Sequence, residues 1–258
     1  MIQILEHAFS LLETLVNTGR PTNRADVESL LGVSEPDAER ILASLAHQGY
    51  LQHDATTDSY VLGSRCFELA SMARGTRDLR AAALTHLAEL GERVGETVHL
   101  GIYHAGDVVY VAQIERSTAI DGRMPNIGVR APGFSVSVGR VLLAHQHDHE
   151  LERALTTQRL PHYTTQTVTD PGQLRHELER TRKRGYAVNR GSWREAVGGI
   201  AAPVRDHSGA VVAGIGCCAP IDRLDDRPDG PQVTAVLSAA QEVSTALGYG
   251  LATTRSLG

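Results

Sequence analysis

Between Thr22 and Leu62 the chain carries its densest run of start and stop signals, and they leave little freedom of fold. Asn23 caps a helix, with Asp26 three residues on as the second half of a capping box. Val27, Leu30 and Leu31 supply that helix with a buried stripe, and Gly32-Val33 breaks it. Ser34 caps a second helix, again with an acid (Asp37) three on, and Pro36 sits in the first turn, where a missing N–H is tolerated. Ala38, Ile41, Leu42 and Leu45 then fall at i, i+3, i+4 and i+7, so one face packs and the opposite face is free. Gly49 closes this helix. Tyr50-Leu51 and Tyr60 to Leu62 read as short strands around a polar wing from His53 to Ser59. Helix, tight turn, helix and hairpin make a winged helix-turn-helix, whose second helix suits a DNA major groove.

The charge of this segment opposes its shape. Residues 1–62 hold Arg20, Arg24 and Arg40 against nine acids, a net charge of −6, whereas the whole chain carries −5. DNA affinity comes largely from cations that displace counterions from phosphates. Glu35, Asp37 and Glu39 occupy the first turns of the second helix, where base contacts are made. Acids there favour the helix dipole by roughly 0.3–1 kcal/mol, and an acid can accept from cytosine N4. The expected DNA contacts are Arg24 on a phosphate, Ser34, Arg40 and Ser44 on the second helix, and Thr56 and Thr57 in the wing.

At 258 residues two domains of ordinary size are expected, each with its own core. No apolar run approaches the ~18 residues that span a membrane, so no membrane partner is expected. The start, MIQILEHAFSLLETL, has no basic region and two acids, unlike a secretory signal. Three cysteines, Cys66 and the adjacent Cys217 and Cys218, suit a reducing cytoplasm rather than a disulfide framework.

Residues 3–17 read as an opening helix with Leu5, Ala8, Leu12 and Leu15 on one face. Residues 1–62 form the expected DNA-binding domain, 63–76 a helical linker and 77–258 a second domain. The linker is helical rather than rich in Pro or Ser, so it is stiff enough to transmit a shift. Beyond it, Asp78 to Arg93 reads as a helix carrying Leu79, Ala83, Leu87 and Leu90. Thr97 to His104 and Asp107 to Glu115 form a hairpin around Ala105-Gly106. Short helices follow at Val138 to His145 and His149 to Leu155. Asp170 caps a further helix that has Pro171 at its first position and Gly185 at its end. Tyr186 to Asn189, Ile200 to Arg205 and Val211 to Cys217 are strands, and Gln232 to Leu247 a closing amphipathic helix. An antiparallel sheet with helices around it is an α+β sensor-type domain.

These residues resemble the isocitrate lyase regulator (IclR) family of bacterial transcription factors over nearly the whole chain. The likeness is carried by YVLGSR (Tyr60 to Arg65), GETVHL (Gly95 to Leu100) and VVYVAQIE (Val108 to Glu115). LPHYTTQTVTDPGQLRHELERTRKRGYAV (Leu160 to Val188) and GGIAAPVRDHSGAVVAGIG (Gly198 to Gly216) carry it further. The resemblance implies a winged DNA-binding domain, a GAF-like effector domain, homodimers or homotetramers, operator DNA as partner, no catalysis and no cofactor.

It also implies a small-ligand pocket. The loop amides that hold a carboxylate in such proteins fall on Ser137-Val138. An acid of the family falls on Asn189, a cysteine on Gly199, two serines on Gly216 and Cys218, and an apolar wall residue on Val197. Trp193 lies on a loop beside these positions. Four polar groups have become Asn, Gly, Gly and Cys, which predicts a larger, less polar cavity and an effector bulkier or less polar than a small oxo-acid. Gly139-Arg140 replaces the family's Gly-Lys pair.

Other motifs have plainer readings. GIGCCA (Gly214 to Ala219) matches a dinucleotide fingerprint, but Pro220 follows and no helix opens there. Alternation sends the Cys217 and Cys218 thiols to opposite faces, against a shared redox or metal site. His145, His147, Asp148 and His149 have ligand spacing without a supporting motif and read as a solvated helix end, so no metal is expected. Arg175, Arg180, Arg182, Lys183 and Arg184 alternate with acids and complement a helix C-terminus. The chain reads as a ligand-responsive DNA-binding regulator, more a repressor than an activator and not an enzyme. The alternative is a sensor of the same fold that has lost DNA binding and acts through a protein partner.

Overall fold

The computed structural model describes residues 2–72, 76–116, 127–156 and 160–250. The chain divides into two compact units, Met1–Arg77 and Asp78–Gly258.

The first unit contains α1 (Gln3–Thr18), α2 (Arg24–Leu31), α3 (Glu35–His47), β1 (Leu51–Asp54), β2 (Ser59–Leu62) and α4 (Ser64–Met72). The signals that end each helix act as the residue types dictate. Asn23 Oδ1 accepts the Asp26 N–H at 3.0 Å, and the Asp26 carboxylate accepts the Asn23 N–H at 3.2 Å, completing the box. Gly32 closes α2 at φ +63°, a left-handed conformation that side-chain-bearing residues rarely adopt, and donates its N–H to Glu28 O. Asn23→Ala is expected to cost about 1 kcal/mol of stability, read as a fall in denaturation midpoint with the slope unchanged.

Val27, Ala38, Ile41, Leu42 and Leu51 meet Leu11 and Leu15 of α1 in one core. Three expected core positions, Leu5, Ala8 and Leu30, are not in it. Leu5 is 50% exposed and Leu30 46% exposed. The contact face of α1 lies further round the helix, on Leu11 and Leu15, which leaves Leu5 at the rim. The eight-residue α2 turns only Val27, and in part Leu31, toward its neighbours. Ile2, Ile4 and Phe9 of the first segment and Phe67 and Leu69 of α4 are also exposed. The wing hairpin pairs Leu51 with Leu62 through Asp54 with Ser59. Its base is held to α4 by Arg65 N–H to Gly49 O and by the Cys66 thiol on Tyr50 O.

The second unit is built on a six-stranded sheet in the order β5-β4-β3-β8-β7-β6, with every neighbouring pair antiparallel. The strands are β3 (Thr97–His104), β4 (Asp107–Ile114), β5 (Arg130–Pro132), β6 (Ala187–Arg190), β7 (Val197–Arg205) and β8 (Val211–Pro220). The helices are α5 (Thr76–Val94), α6 (Ser137–Ala144), α7 (Asp148–Thr156), α8 (Pro171–Arg184) and α9 (Pro231–Ala246). Ala105 and Gly106 both have positive φ, the two-residue turn that matches strand twist. β7 starts at Val197 rather than Ile200, because Gly198 and Gly199 are paired on both sides by β6 and β8, and that outweighs their low strand propensity. The three-residue β5 is too short to leave an alternating pattern.

Period-two alternation sorts the strands between two layers. Val98, Leu100, Ile200, Ala202, Ile215 and Cys217 face one core with Leu87 and Leu90 of α5 and Val236 of α9. The opposite face carries Tyr110, Ala201 and Val108 against Val138, Val141 and Leu142 of α6. Beyond α6, its Leu143 packs with Leu151 and Leu155 of α7 and Leu174 and Leu178 of α8. Asp170 Oδ1 accepts the Gln173 N–H at 2.7 Å to start α8. Among the described residues no helix is long and apolar enough to cross a membrane.

Candidate functional site

The face of the sheet under α6 holds a cavity of about 30 Å³, space on the scale of one or two water molecules. Of the eight positions expected to bind an effector, six line it: Ser137, Asn189, Trp193, Val197, Gly199 and Cys218. They arrive from α6, β6, β7, β8 and the loop after β6. Val138 and Gly216 stand outside its lining. Val138 is fully buried over Gly101 and Gly214, where a Cβ on either glycine would lie 3.0 Å from its Cγ1. A Cβ at Gly216 would come within 2.3 Å of Ile200 O, so this backbone admits no side chain there.

The glycines do not enlarge the cavity as expected. At Gly199 a Cβ would lie 2.9 Å from Ser137 Oγ, so the serine already occupies the space that a larger residue would take. The lining is nonetheless low in charge, with Tyr110, Val136, Trp193 and Val197 around it.

Five lining residues escaped the sequence reading: His99, Tyr110, Val136, Arg194 and Gly198. His99 is 4% exposed, and its Nδ1 is buried with no hydrogen-bond partner among the described residues. Either tautomer leaves a donor or an acceptor unmet at that atom, a cost of about 1–3 kcal/mol. Burial drives the His99 pKa down to about 4, so the ring is neutral near pH 7. The Tyr110 ring stands edge-on to it, centroids 5.0 Å apart, and burial raises the Tyr110 pKa. Burial also lifts the Cys218 thiol well above its ordinary value, leaving no thiolate for nucleophilic chemistry. The H of GETVHL was the signal for His99, but a polar residue in a strand does not announce which face it takes.

The loop carrying Trp193 and Arg194 is latched by buried polar groups. Ser192 N–H donates to Asn189 Oδ1 at 2.9 Å, and Ser192 Oγ donates to Gln166 O and accepts from Arg140 Nη2, each at 3.0 Å. Thr164 donates to Gly191 O and Thr167 to Ser192 O. The Arg194 guanidinium carbon lies 4.6 Å from the Trp193 ring centroid.

In the first unit the expected DNA contacts are all solvent-exposed, yet most are engaged locally. Arg24 Nη1 lies 3.0 Å from Glu35 and Arg40 Nη1 3.5 Å from Asp37. Ser34 donates to Asp37 rather than capping α3, and Ser44 donates to Arg40 O. The Thr56 N–H is held by Asp54, and Thr57 pairs with Ser59. Arg24, Glu28, Glu35, Glu39 and Asp58 line one cleft between α2, α3 and the wing, so the free charge facing out is acidic.

Four of the five cations of the basic run on α8 are engaged within the unit: Arg175 on Glu152, Arg180 and Arg184 on Glu177, and Arg182 on Ala144 O. Among the described residues the only histidine–carboxylate group at metal-ligand spacing is His86, Glu89 and Glu242. Arg93 stands 3.9 and 3.6 Å from those two carboxylates and already supplies their positive partner.

A winged helix-turn-helix unit and a sheet-based unit with a latched cavity define a one-component transcriptional regulator that senses a small molecule. Residues 4–55 match the family described as the IclR helix-turn-helix domain, and residues 72–245 the bacterial transcriptional regulator IclR C-terminal. The chain belongs to the IclR family. It is 34% identical over 254 residues to the glycerol operon regulatory protein of Streptomyces coelicolor, covering 96% of this chain and 98% of that one. It is 28% identical to the transcriptional regulator KdgR of Escherichia coli, covering 93% and 91%. Among solved structures it resembles an IclR homologue from Microbacterium hydrocarbonoxydans complexed with 4-hydroxybenzoate. That match has a TM-score of 0.81 and 25% identity, covering 95% of this chain and 98% of that one. The expected α+β architecture, its winged N-terminal domain and the regulator class all hold.

Proposed function

We propose that this regulator represses a promoter in the cytoplasm, and that an effector entering the cavity beneath the Trp193 loop weakens its hold on operator DNA. The observation that carries this reading is the convergence of six separately mapped positions on one cavity. The effector is less polar than a small oxo-acid, as the Tyr110, Trp193 and Val197 walls favour, and any bulk it has is gained by displacing the latched loop. The Microbacterium relative's 4-hydroxybenzoate makes an aromatic acid a reasonable first probe. No turnover of a bound compound is expected.

Arg24, Ser34, Arg40, Ser44, Thr56 and Thr57 face the operator in this reading. A homodimer, or a homotetramer built from it, sets two α3 helices in successive major grooves roughly 34–36 Å apart. The exposed Phe9 and Phe67 offer apolar surface for that self-association. Residues 63–76 act as the linker through which occupancy of 77–258 biases the DNA-binding domain 1–62. By linkage, the operator must shift effector affinity by the same factor.

The test is a salt series on the full chain with a fragment of its own promoter region. Specific retardation whose log–log slope against salt spans several units is expected. Absence of any retardation at ~50 mM salt would overturn the reading in favour of a sensor acting through a protein partner.

A further inference from the structure

We infer that His99, together with Tyr110, forms the inner polar end of the cavity and selects an effector that presents an uncharged hydrogen-bonding group there, a hydroxyl on a planar carboxylate. This deepens the reading of the cavity as the effector site and rests on it.

Four observations lead to it. First, His99 is the lining residue whose ring nitrogen is both buried and without a partner among the described residues. Buried polar atoms in folded proteins are nearly always satisfied, and an orphan beside a cavity is satisfied by what enters the cavity. Second, the ring is neutral, because burial disfavours the imidazolium. A neutral ring offers one donor and one acceptor, which suits a hydroxyl and gives no countercharge to a carboxylate. The titratable neighbours are Tyr110 on β4, Cys218 on β8 and Arg194 on the loop; burial holds the first two uncharged as well. Third, the site has direction. His99 lies on β3, level with Gly216 of β8, while Gly199, facing Ser137, lies on β7. β3 and β7 are two strands apart, roughly 10 Å. Arg194, the cation in the lining, reaches the cavity from the loop that follows β6. Fourth, the Tyr110 ring set edge-on to His99 supplies an apolar side wall for a flat ligand.

The experiment uses the full-length chain and three probes differing at one position: benzoate, 4-hydroxybenzoate and terephthalate, which carry hydrogen, a neutral hydroxyl and a second carboxylate. Binding is measured by calorimetry and by thermal shift for the native chain, H99L and H99Q. The native chain is expected to bind 4-hydroxybenzoate about tenfold tighter than benzoate, with terephthalate weakest. In H99L the ratio of 4-hydroxybenzoate to benzoate affinity falls to about one, and in H99Q part of the advantage returns. The unliganded Tm of H99L is expected at or above the native value, because the unmet nitrogen is gone. The proposal is overturned if the hydroxyl gives no advantage in the native chain, if H99L retains it, if terephthalate binds tightest, or if none of the three binds. Operator retardation in the same samples separates this from failure of the effector reading. Hydroxyl preference through His99 with an unchanged grip on DNA would sink the effector reading and leave the His99 assignment standing. Release of the operator by some other compound, with no role for His99, would do the reverse.

Discussion

Arg140→Ala is expected to lower the unfolding free energy of the chain by about 4 kcal/mol, read as a fall in Tm of about 8–16 °C. Arg140 is 5% exposed. Its Nε donates to Phe134 O at 3.0 Å, Nη1 to Val188 O at 2.9 Å and Nη2 to Ser192 Oγ at 3.0 Å. One planar fork thus ties the turn before α6, strand β6 and the loop over the cavity. Burial depresses the guanidinium pKa and Glu177 pulls it back, but an arginine stays ionised. Truncation leaves three buried acceptors facing a void. Arg140→Lys is expected to recover only part of the loss, because an ammonium on a narrower stem cannot reach three divergent acceptors in one plane. Calorimetric unfolding of both variants checks the order. An Arg140→Ala protein that melts with the native one would mean that water replaces the fork at no cost.

The second large effect is expected on DNA. Glu35→Gln should tighten operator binding about tenfold at low salt and steepen the log–log salt slope by about one, while Arg24→Ala should loosen binding and flatten the slope. Arg24 is half-exposed and its Nη1 sits 3.0 Å from Glu35, with Glu28 at 4.0 Å from Nε. A phosphate must compete with that carboxylate. Removing the acid frees one cation and deletes one repulsive charge at the mouth of the groove. The ion pair itself is a surface pair, so folding stability should move by no more than about 1 kcal/mol. Retardation of the native chain, E35Q and R24A at several salt concentrations decides the matter. Equal slopes for all three would remove Arg24 from the set of phosphate contacts.

The caps, breaks and strand alternation were legible in the sequence. Asn23 and Asp170 start helices where their side chains can take an N–H, Gly32 and Gly185 end them in the left-handed region, and Ala105-Gly106 turns the hairpin. Each of these depends on groups within four residues of one another, so composition and spacing suffice. The mapped site positions fared less evenly for the same reason. Asn189, Trp193, Val197 and Gly199 lie close together in the chain and came to the cavity together, whereas Gly216 is shut off by the approach of Ile200 and Ala201 from the next strand.

Local order, the winged unit, the antiparallel sensor sheet and the opposed faces of Cys217 and Cys218 were determined by the sequence alone. Tertiary structure decided the rest: that His99 and Tyr110 join Cys218 around one cavity, that Ser137 fills the room left by Gly199, and that Glu35 holds Arg24. These contacts span from 11 to more than a hundred residues of chain. They exist because strand order and helix packing bring those positions together, and no short-range periodicity encodes which distant partner a buried face will meet.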